Sequence, residues 1–199
     1  MKNLAQFETA YYLTNKIEGG YSNNKNDAGG ETYRGISRVT NPYWLGWDIV
    51  DNIKKTNFSA ETINEALDKN EVLQNFVKVF YLNNYWDAIL GNKIADQQIA
   101  NEVYDNAVNM GVPQAGIYLQ KVINILNRNQ SLYKDITVDG KIGGGTIQTL
   151  EMAIKLNGSR RVLNVINGYQ MKHYLECMEK NPVDEIFVGW FDRVEIVWH

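Results

Sequence analysis

Apolar residues recur at intervals of three and four positions along most of the chain, which is the spacing of one face of an α-helix. The stretches that show this spacing are 4–17, 59–67, 70–80, 99–108, 113–126, 146–154, 159–169 and 186–197. Residues typical of helix ends fall between them: Ser59 suits an N-cap, Pro113 a first turn, and Asn181-Pro182 a helix stop. The pattern therefore predicts a mainly α-helical protein.

Residues 18–37 interrupt this helical pattern with five glycines and three carboxylates. Gly19-Gly20 ends the first helix, and the run from Tyr33 to Ser37 has the aromatic and branched residues of one short strand in a small hairpin. Polar loops held on rigid elements often carry function. We therefore expect one small β-hairpin in a mainly α fold, with the functional chemistry at this loop.

Two carboxylates of this loop fall in different surroundings. Glu18 ends an apolar helix, where desolvation and the negative end of the helix dipole favour a protonated carboxyl. Asp27 follows in a polar stretch that favours ionisation. Glycoside hydrolysis uses a protonated acid beside an ionised carboxylate, although residue types and spacing alone favour a solvated turn.

The whole chain has the composition of an ordinary globular protein. Its 199 residues are 44% hydrophobic and 22% charged, and the net charge of −3 provides no basic surface for nucleic acid. Cys177 is the single cysteine, and the two histidines, His173 and His199, form no metal-binding motif. We expect no metal, no cofactor and no nucleic-acid partner, and the pattern indicates no oligomeric state.

Targeting segments are also missing from the pattern. The N-terminal residues lack the uninterrupted apolar region of a signal peptide, and no later stretch is long and apolar enough to span a bilayer. We expect a protein made in the cytoplasm without a signal peptide and without stable membrane insertion.

The polar loop carries a long motif. From Glu18 to Ile36 the chain has E-G-G-Y-x5-D-x-G-G-x-T-x-x-G-I, which resembles the N-terminal signature of glycoside hydrolase family 108. Members of this family are lysozyme-like muramidases of bacteria and phages, some described as endolysins and others as secretion activators. The resemblance implies a lysozyme-like helical fold in which Glu18 is the catalytic acid, Asp27 is a second carboxylate and Thr32 is a threonine of the site.

The loop departs from the usual family pattern, D-P-x-D-P-G-G-x-T-x-x-G-I-T, at three places. Asn24-Lys25 stands for the first Asp-Pro, Ala28 for the second proline and Ser37 for the last threonine. Proline lowers the conformational entropy of the unfolded chain, so these changes predict a less rigid loop. Glu18 and Asp27 remain in place.

Two later segments also resemble the family: Y-x-x-x-Y-W-D from Tyr81, and D-x-A-V-N-x-G from Asp105. With the signature they provide four candidate substrate-binding residues, which are Tyr21, Tyr85, Asp105 and Asn109. For Tyr85, core packing is the first interpretation and a cleft wall the second. Asp105 and Asn109 share a helix face, where substrate binding and helix capping are equally good explanations.

Three aromatic residues, Tyr43, Trp44 and Trp47, cluster just after the signature. Aromatic rings stack on sugars, but a short aromatic run more often serves packing. Both interpretations stay open at this stage.

Residues 112 to about 180 resemble a small helical peptidoglycan-binding domain, most closely at V-D-G-K-I-G-G-G-T from Val138 to Thr146. Turn formation followed by a helix start explains these residues fully, so ligand binding there is implied by resemblance alone. The apolar stretch 186–197 predicts a terminal helix that docks on the rest of the protein. We expect a muramidase region at 1–111 and a peptidoglycan-binding-like region at 112–199 packed on it.

The sequence thus predicts an enzyme, a peptidoglycan hydrolase that cleaves the β-1,4 bond after N-acetylmuramic acid with Glu18 as general acid. Its partner would be the glycan strands of peptidoglycan, and it would act in the periplasm or cell wall after export or lysis. The alternative is a non-catalytic peptidoglycan-binding or secretion-assisting protein on the same fold, since a fold does not guarantee chemistry.

Overall fold

The computed structural model describes residues 4–15, 19–23, 30–56 and 59–194. The fold is 69% helical with a small three-stranded antiparallel sheet, so the predicted mainly α class with a small hairpin is confirmed. The helices are α1 (Phe7–Asn15), α2 (Gly46–Thr56), α3 (Ala60–Asp68), α4 (Glu71–Tyr81), α5 (Gln97–Met110), α6 (Val112–Ile125), α7 (Gly144–Asn157) and α8 (Ser159–Lys180). The strands are β1 (Tyr21–Asn23), β2 (Glu31–Tyr33) and β3 (Ile36–Ser37).

The chain divides into two compact units. The first, called here the hairpin unit, is Tyr11–Asn84, and the second, called the helical unit, is Met1–Ala10 together with Tyr85–His199. Within the helical unit α5 packs against both α6 and α8. The boundary at residue 111 that we expect from family resemblance falls between α5 and α6 and stays a prediction.

The three strands of the hairpin unit follow one another along the chain and pair in the order β1-β2-β3. The tight turn between β2 and β3 is Arg34-Gly35, with φ values of 43° and 75°. Two successive positive φ values are what a type I′ hairpin turn requires. The segment from Tyr33 to Ser37, predicted as one strand, is therefore the end of one strand, a turn and a second strand.

Two helices of the hairpin unit, α3 and α4, begin where the sequence indicates, whereas α2 was not predicted. Ser59 caps α3 by accepting a hydrogen bond from the Thr62 N–H, and Asn70 caps α4 by accepting one from the Leu73 N–H. α4 is buried on one side only, although its sequence is apolar around much of the circumference, because Val72 is 59% exposed and Val79 is 40% exposed. Its buried stripe is Leu73, Val77 and Tyr81.

The helical unit has an aromatic centre in Trp86, which is 2% exposed. Its ring lies 5.9 Å from the rings of both Phe7 and Tyr104, and those two rings are 6.0 Å apart. Gly91 lies directly against the indole, since a Cβ built there would be 2.4 Å from ring atoms. A side chain at that position would therefore displace Trp86 from the core.

The prediction of an apolar terminal α-helix is wrong for the described part of this segment. The chain after α8 runs from Pro182 to Arg193 as 3₁₀ turns with a kink at Phe187, and no residue of this segment is buried. It is held instead by single contacts, such as the Trp190 ring 5.4 Å from the Tyr174 ring. Apolar spacing predicted the amphipathic character but could not predict that Ile186, at 73% exposure, faces solvent.

Candidate active site

The structure describes five of the seven predicted catalytic and substrate-binding residues. Glu18 and Asp27 lie outside the described residues. Tyr21 and Thr32 are on the neighbouring strands β1 and β2 of the hairpin unit. Tyr85, Asp105 and Asn109 all belong to the helical unit, at positions that the following paragraphs give.

The pairing register decides which way Thr32 faces. Tyr33 pairs with Tyr21 on one side and Ile36 on the other, and both Tyr33 and Ile36 are 0% exposed. Thr32 precedes Tyr33 in the strand, and successive strand residues point to opposite faces, so Thr32 faces away from this buried row.

Thr32 shares its face with two serines. It pairs with Ser22 of β1 and Ser37 of β3, which makes a row of three hydroxyl side chains across the sheet, called here the hydroxyl row. The Thr32 Oγ1 donates to the Gly30 carbonyl at 3.3 Å, and the residue is half-buried. Sequence analysis missed the two serines, because the row depends on where the turn sets the register.

Tyr21 has its polar groups engaged within the hairpin unit. Its hydroxyl donates to the Glu31 carboxylate at 2.7 Å, and its backbone N–H donates to Asn64 Oδ1 at 2.6 Å. Burial, followed by the hydrogen bond to Glu31, raises the pKa of the Tyr21 phenol. Tyr21 stays a predicted substrate-binding residue, but its hydroxyl already ties β1 to β2.

Glu31 is a residue that sequence analysis missed. Its side chain is 12% exposed and lies between two cations, with Lys54 Nζ on Oε1 and Arg38 Nε 2.9 Å from Oε2. Arg38 also forms a bidentate pair with Asp51 of α2 at 2.8 and 3.1 Å. We call this set, Tyr21 and Glu31 with Arg38, Asp51 and Lys54, the Glu31 network.

The charges in this network stabilise one another. Two carboxylates balance two cations, and burial of such groups is tolerated only when they are paired. The hydrogen bond from Arg38 is the main cause that lowers the pKa of Asp51. Burial alone would lower the pKa of Lys54, but its bonds to Glu31 and Tyr21 raise it overall, so Lys54 stays charged.

The aromatic cluster separates into packing and surface residues. Trp47 is 4% exposed, its indole N–H donates to the Asn41 carbonyl at 2.8 Å, and the Trp44 ring meets it edge-on at 5.2 Å. These two tryptophans therefore serve packing. Tyr43 is 94% exposed and is the member of the cluster whose ring face is open to solvent.

Tyr85 lies in a π-helical turn, Leu82–Trp86, and is the first residue of the second segment of the helical unit. Tyr85 is half-buried, whereas its neighbour Trp86 is a core residue at 2% exposure. Both interpretations of Tyr85, packing and cleft wall, are compatible with this partial exposure.

Asp105 has its carboxylate engaged inside the helical unit. Gln170 of α8 donates to Oδ2 at 2.9 Å and Arg193 donates to Oδ1 at 3.0 Å, and the Asp105 side chain is 14% exposed. This ion pair anchors the end of the terminal segment to α5. Asn109 is exposed, and its amide donates to the Asp105 carbonyl at 2.7 Å, which is a contact within the helix.

The V-D-G segment of the helical unit is held by one buried side chain, Gln120. Its oxygen accepts from the N–H groups of Asp139 and Gly140 at 3.0 and 2.8 Å, and its amide donates to the Asp139 carboxylate and to the Lys141 carbonyl. The backbone N–H of Lys141 and the amide of Gln120 lower the pKa of Asp139. Turn stabilisation thus accounts for this segment, as the residue types indicate.

Metal-binding clusters and membrane-spanning helices are both absent from the described part of the chain. Across residues 4–15, 19–23, 30–56 and 59–194, no three His, Cys, Asp or Glu side chains come together in a way that could hold a metal ion. Among the helices of the same residues, none combines the length and apolar character needed to cross a membrane.

Comparison with known proteins identifies two regions. Residues 12–111 match the family model described as glycosyl hydrolase 108, and residues 114–195 match the one described as predicted peptidoglycan domain. No curated protein sequence matches the chain. The two family matches together support a peptidoglycan-related hydrolase or binding function at the cell wall.

The fold is similar to that of a solved structure, SagA of Brucella abortus. The two share 22% sequence identity with a TM-score of 0.61, over 94% of this chain and 88% of that one. At this identity the similarity concerns the fold alone. The family match covers residues 12–111, about half of the chain, and it confirms the resemblance seen in the signature, so the chain belongs to the glycosyl hydrolase 108 family.

Proposed function

We propose that this protein hydrolyses the β-1,4 glycosidic bond after N-acetylmuramic acid in peptidoglycan glycan strands. The observation that carries the proposal is the order of the two family matches, a glycosyl hydrolase region at 12–111 followed by a peptidoglycan domain at 114–195. A glycosidase joined to a module of that description has a cell-wall glycan as its natural substrate.

Glu18 is the proposed general acid, which gives its proton to the leaving glycosidic oxygen. Asp27 is the proposed second carboxylate, which stabilises positive charge at the sugar or orients the attacking water. Thr32 is the proposed holder of that water. Its support is its position on the solvent-facing side of the sheet, between Ser22 and Ser37.

Tyr21, Tyr85, Asp105 and Asn109 are the proposed substrate-binding residues. Exposure supports Asn109 most, because Tyr21, Tyr85 and Asp105 are each only partly exposed. The carboxylate of Asp105 would have to exchange a partner within its ion pair with Arg193 to meet a sugar. Delivery to the wall by lysis or by an exporter is part of the proposal.

The test is mass spectrometry of the soluble products from purified peptidoglycan. The wild type should release fragments with N-acetylmuramic acid at the reducing end, and Glu18→Gln should lose at least about 100-fold in rate, as expected when a general acid is removed. Glu61→Gln, at an exposed glutamate of α3, is the matched control and should behave as wild type. Equal rates for Glu18→Gln and wild type would overturn the assignment of the acid.

The rates of Asp27→Asn and Thr32→Val test the proposed roles of the second carboxylate and of the water-holding threonine. Asp27→Asn should lose less than Glu18→Gln if Asp27 acts only through its charge. Thr32→Val keeps the shape of the side chain and removes its hydroxyl, so a reduced rate would come from the lost water contact. Wild-type rates for both variants would remove these residues from the mechanism.

A second candidate function is peptidoglycan binding without hydrolysis, which the match of residues 114–195 to a predicted peptidoglycan domain favours. The same incubations distinguish it. Wild-type protein that pellets with cell walls and releases no fragments would establish the binding protein and exclude the hydrolase.

A further inference from the structure

Glu31 connects three parts of the hairpin unit through one carboxylate. Its Oε1 accepts hydrogen bonds from the Tyr21 hydroxyl on β1 and from Lys54 on α2, and its Oε2 pairs with Arg38, just after β3. At 12% exposure the side chain is the least exposed acidic group of this ion-pair set. Both oxygens are occupied, so the carboxylate is placed to hold other groups rather than to exchange a proton with a substrate.

The contacts of Glu31 lie at the two ends of the chain segment that contains Asp27. Tyr21 precedes that segment and Glu31 follows it, and their side chains are joined at 2.7 Å. This hydrogen bond fixes β1 and β2 against each other. This loop lacks the prolines of the usual family pattern, with Asn24-Lys25 and Ala28 in their places.

Further contacts fix both strand ends to the helices. The Tyr21 N–H donates to Asn64 of α3, and the absence of a Cβ on Gly20 allows this approach, since a Cβ there would be 2.2 Å from the Asn64 oxygen. Arg38 continues the ladder beyond β3 by donating its N–H to the Glu31 carbonyl at 2.8 Å. Its guanidinium pairs with Asp51 of α2 and lies 4.5 Å from the Trp47 ring centre.

We propose that Glu31 is a positioning residue for the hydrolysis proposed above, on which this inference rests. It joins β1 and β2, the strands that precede and follow Asp27 in the chain, and it is adjacent to Thr32 in β2. Glu31 does not touch the substrate. Its contribution is to hold catalytic groups within the small tolerance that such groups require.

The experiment measures kcat and KM on soluble glycan strands released from peptidoglycan. Glu31→Gln keeps the size of the side chain but turns an amide towards two cations, so we expect kcat to fall by about 10- to 100-fold with KM unchanged. Tyr21→Phe removes one bond of the network without a charge change and should lower kcat in the same direction by less. Glu65→Gln removes an equal charge from an exposed pair with Lys69 and should behave as wild type.

Three further readouts separate positioning from a merely structural role. Circular dichroism at the assay temperature should show Glu31→Gln fully folded, and a kcat that falls only with the folded fraction would overturn the proposal. The acid limb of the kcat/KM profile, which reports an ionising group of the free enzyme, should move in Glu31→Gln and stay in Glu65→Gln. Glu31→Gln/Lys54→Met restores the charge balance, and recovery of wild-type kcat would also overturn positioning.

The outcome distinguishes this proposal from the function on which it rests. If Glu18→Gln is inactive and Glu31→Gln retains wild-type kcat, the hydrolase stands and Glu31 has no positioning role. If the wild type releases no fragments from any substrate, both are wrong.

Discussion

Two glycine-containing segments of this chain, the hairpin of residues 30–38 and the loop of residues 138–143, are both held by side chains, but of opposite kinds. The hairpin is held by charged groups that come from α2 and from the strands themselves. The loop is held by neutral amides, above all Gln120, that come from the single helix α6. The two segments are therefore held by different kinds of contact, mainly charged in the hairpin and mainly neutral in the loop.

In the loop, the polar contacts centre on the buried side chain of Gln120 and satisfy one another. Gln120 is 1% exposed and makes four hydrogen bonds, and one α6 turn further on the Asn124 amide both donates to and accepts from the backbone of Ile136. Gly116 of the same helix touches the loop backbone directly at Gly140. Buried polar groups that satisfy each other make a segment rigid and specify its conformation.

In the hairpin, the charged groups range from the nearly buried Glu31 to the partly exposed Asp51. The side chains of Arg38 and Asp51 are 31% and 43% exposed. Beyond the buried row at Tyr33, the sheet presents the hydroxyl row with Thr32 at its centre. A hairpin supported from one side can offer side chains on the other, which is the arrangement expected where loops carry function.

The largest effect should come from closing the approach of α6 to the loop. A Cβ at Gly116 would be 2.2 Å from the Gly140 carbonyl oxygen, and a backbone atom cannot move aside as a side chain can. We expect Gly116→Ala to lower the free energy of unfolding by about 3 kcal/mol or more, in urea unfolding followed by circular dichroism. Gly168→Ala, in the middle of α8 with open space around it, should raise it by about 0.5–1 kcal/mol. Equal effects of the two variants would contradict the tight approach.

The next effect tests the neutral amide contacts. Gln120→Leu preserves the volume but leaves the N–H groups of Asp139 and Gly140 without an acceptor. Each buried donor without a partner costs about 1–3 kcal/mol, so we expect a loss of about 2–3 kcal/mol in the same assay. Gln98→Leu, at an exposed glutamine of α5, should change little. A small loss for Gln120→Leu would show that water replaces the side chain easily.

Local chemistry allowed much of this fold to be predicted from the sequence. Ser59 caps α3 as expected, since an N-cap depends only on residues three positions away. The V-D-G turn was predicted for the same reason. The Glu31 network was missed because its partners are 10 and 23 positions distant in the chain, where spacing carries no information.

The site was predicted by motif rather than by pattern. Resemblance to the family identified Thr32 as a candidate site residue. The face of the sheet on which its side chain lies depends on the strand register, which the Arg34-Gly35 turn determines. Arg34 has a positive φ although it is not glycine, so residue type did not reveal the turn. The prediction of a docked terminal helix was wrong for a different reason. Apolar spacing does not indicate whether a surface is present for the apolar face to pack on.

A smaller effect should come from the hairpin turn. Gly35 has a φ of 75°, and an L-residue in that conformation costs about 1–2 kcal/mol. We expect Gly35→Ala to lower the free energy of unfolding by about 1 kcal/mol, less than either change at the loop. Gly145→Ala, in α7 with no atom within 4 Å, is the matched control and should be neutral or slightly stabilising. If Gly35→Ala lowers the free energy of unfolding by more than Gln120→Leu does, the hairpin turn contributes more to stability than the contacts of the loop, contrary to this prediction.

The smallest effect, and the one that tests the contrast of charge directly, should come from Asp51→Asn. Its partner Arg38 lowers the pKa of Asp51 below the ordinary 3.8, so the pair stabilises the fold above that pH, and the contribution disappears as the pH falls through the lower folded value. A half-exposed pair contributes less than about 1 kcal/mol and is screened by salt. The difference between wild type and Asp51→Asn should therefore shrink in 1 M NaCl, where the Debye length is about 3 Å, while that of Gln120→Leu stays unchanged. If both differences respond equally to salt, the two segments are not held by different forces.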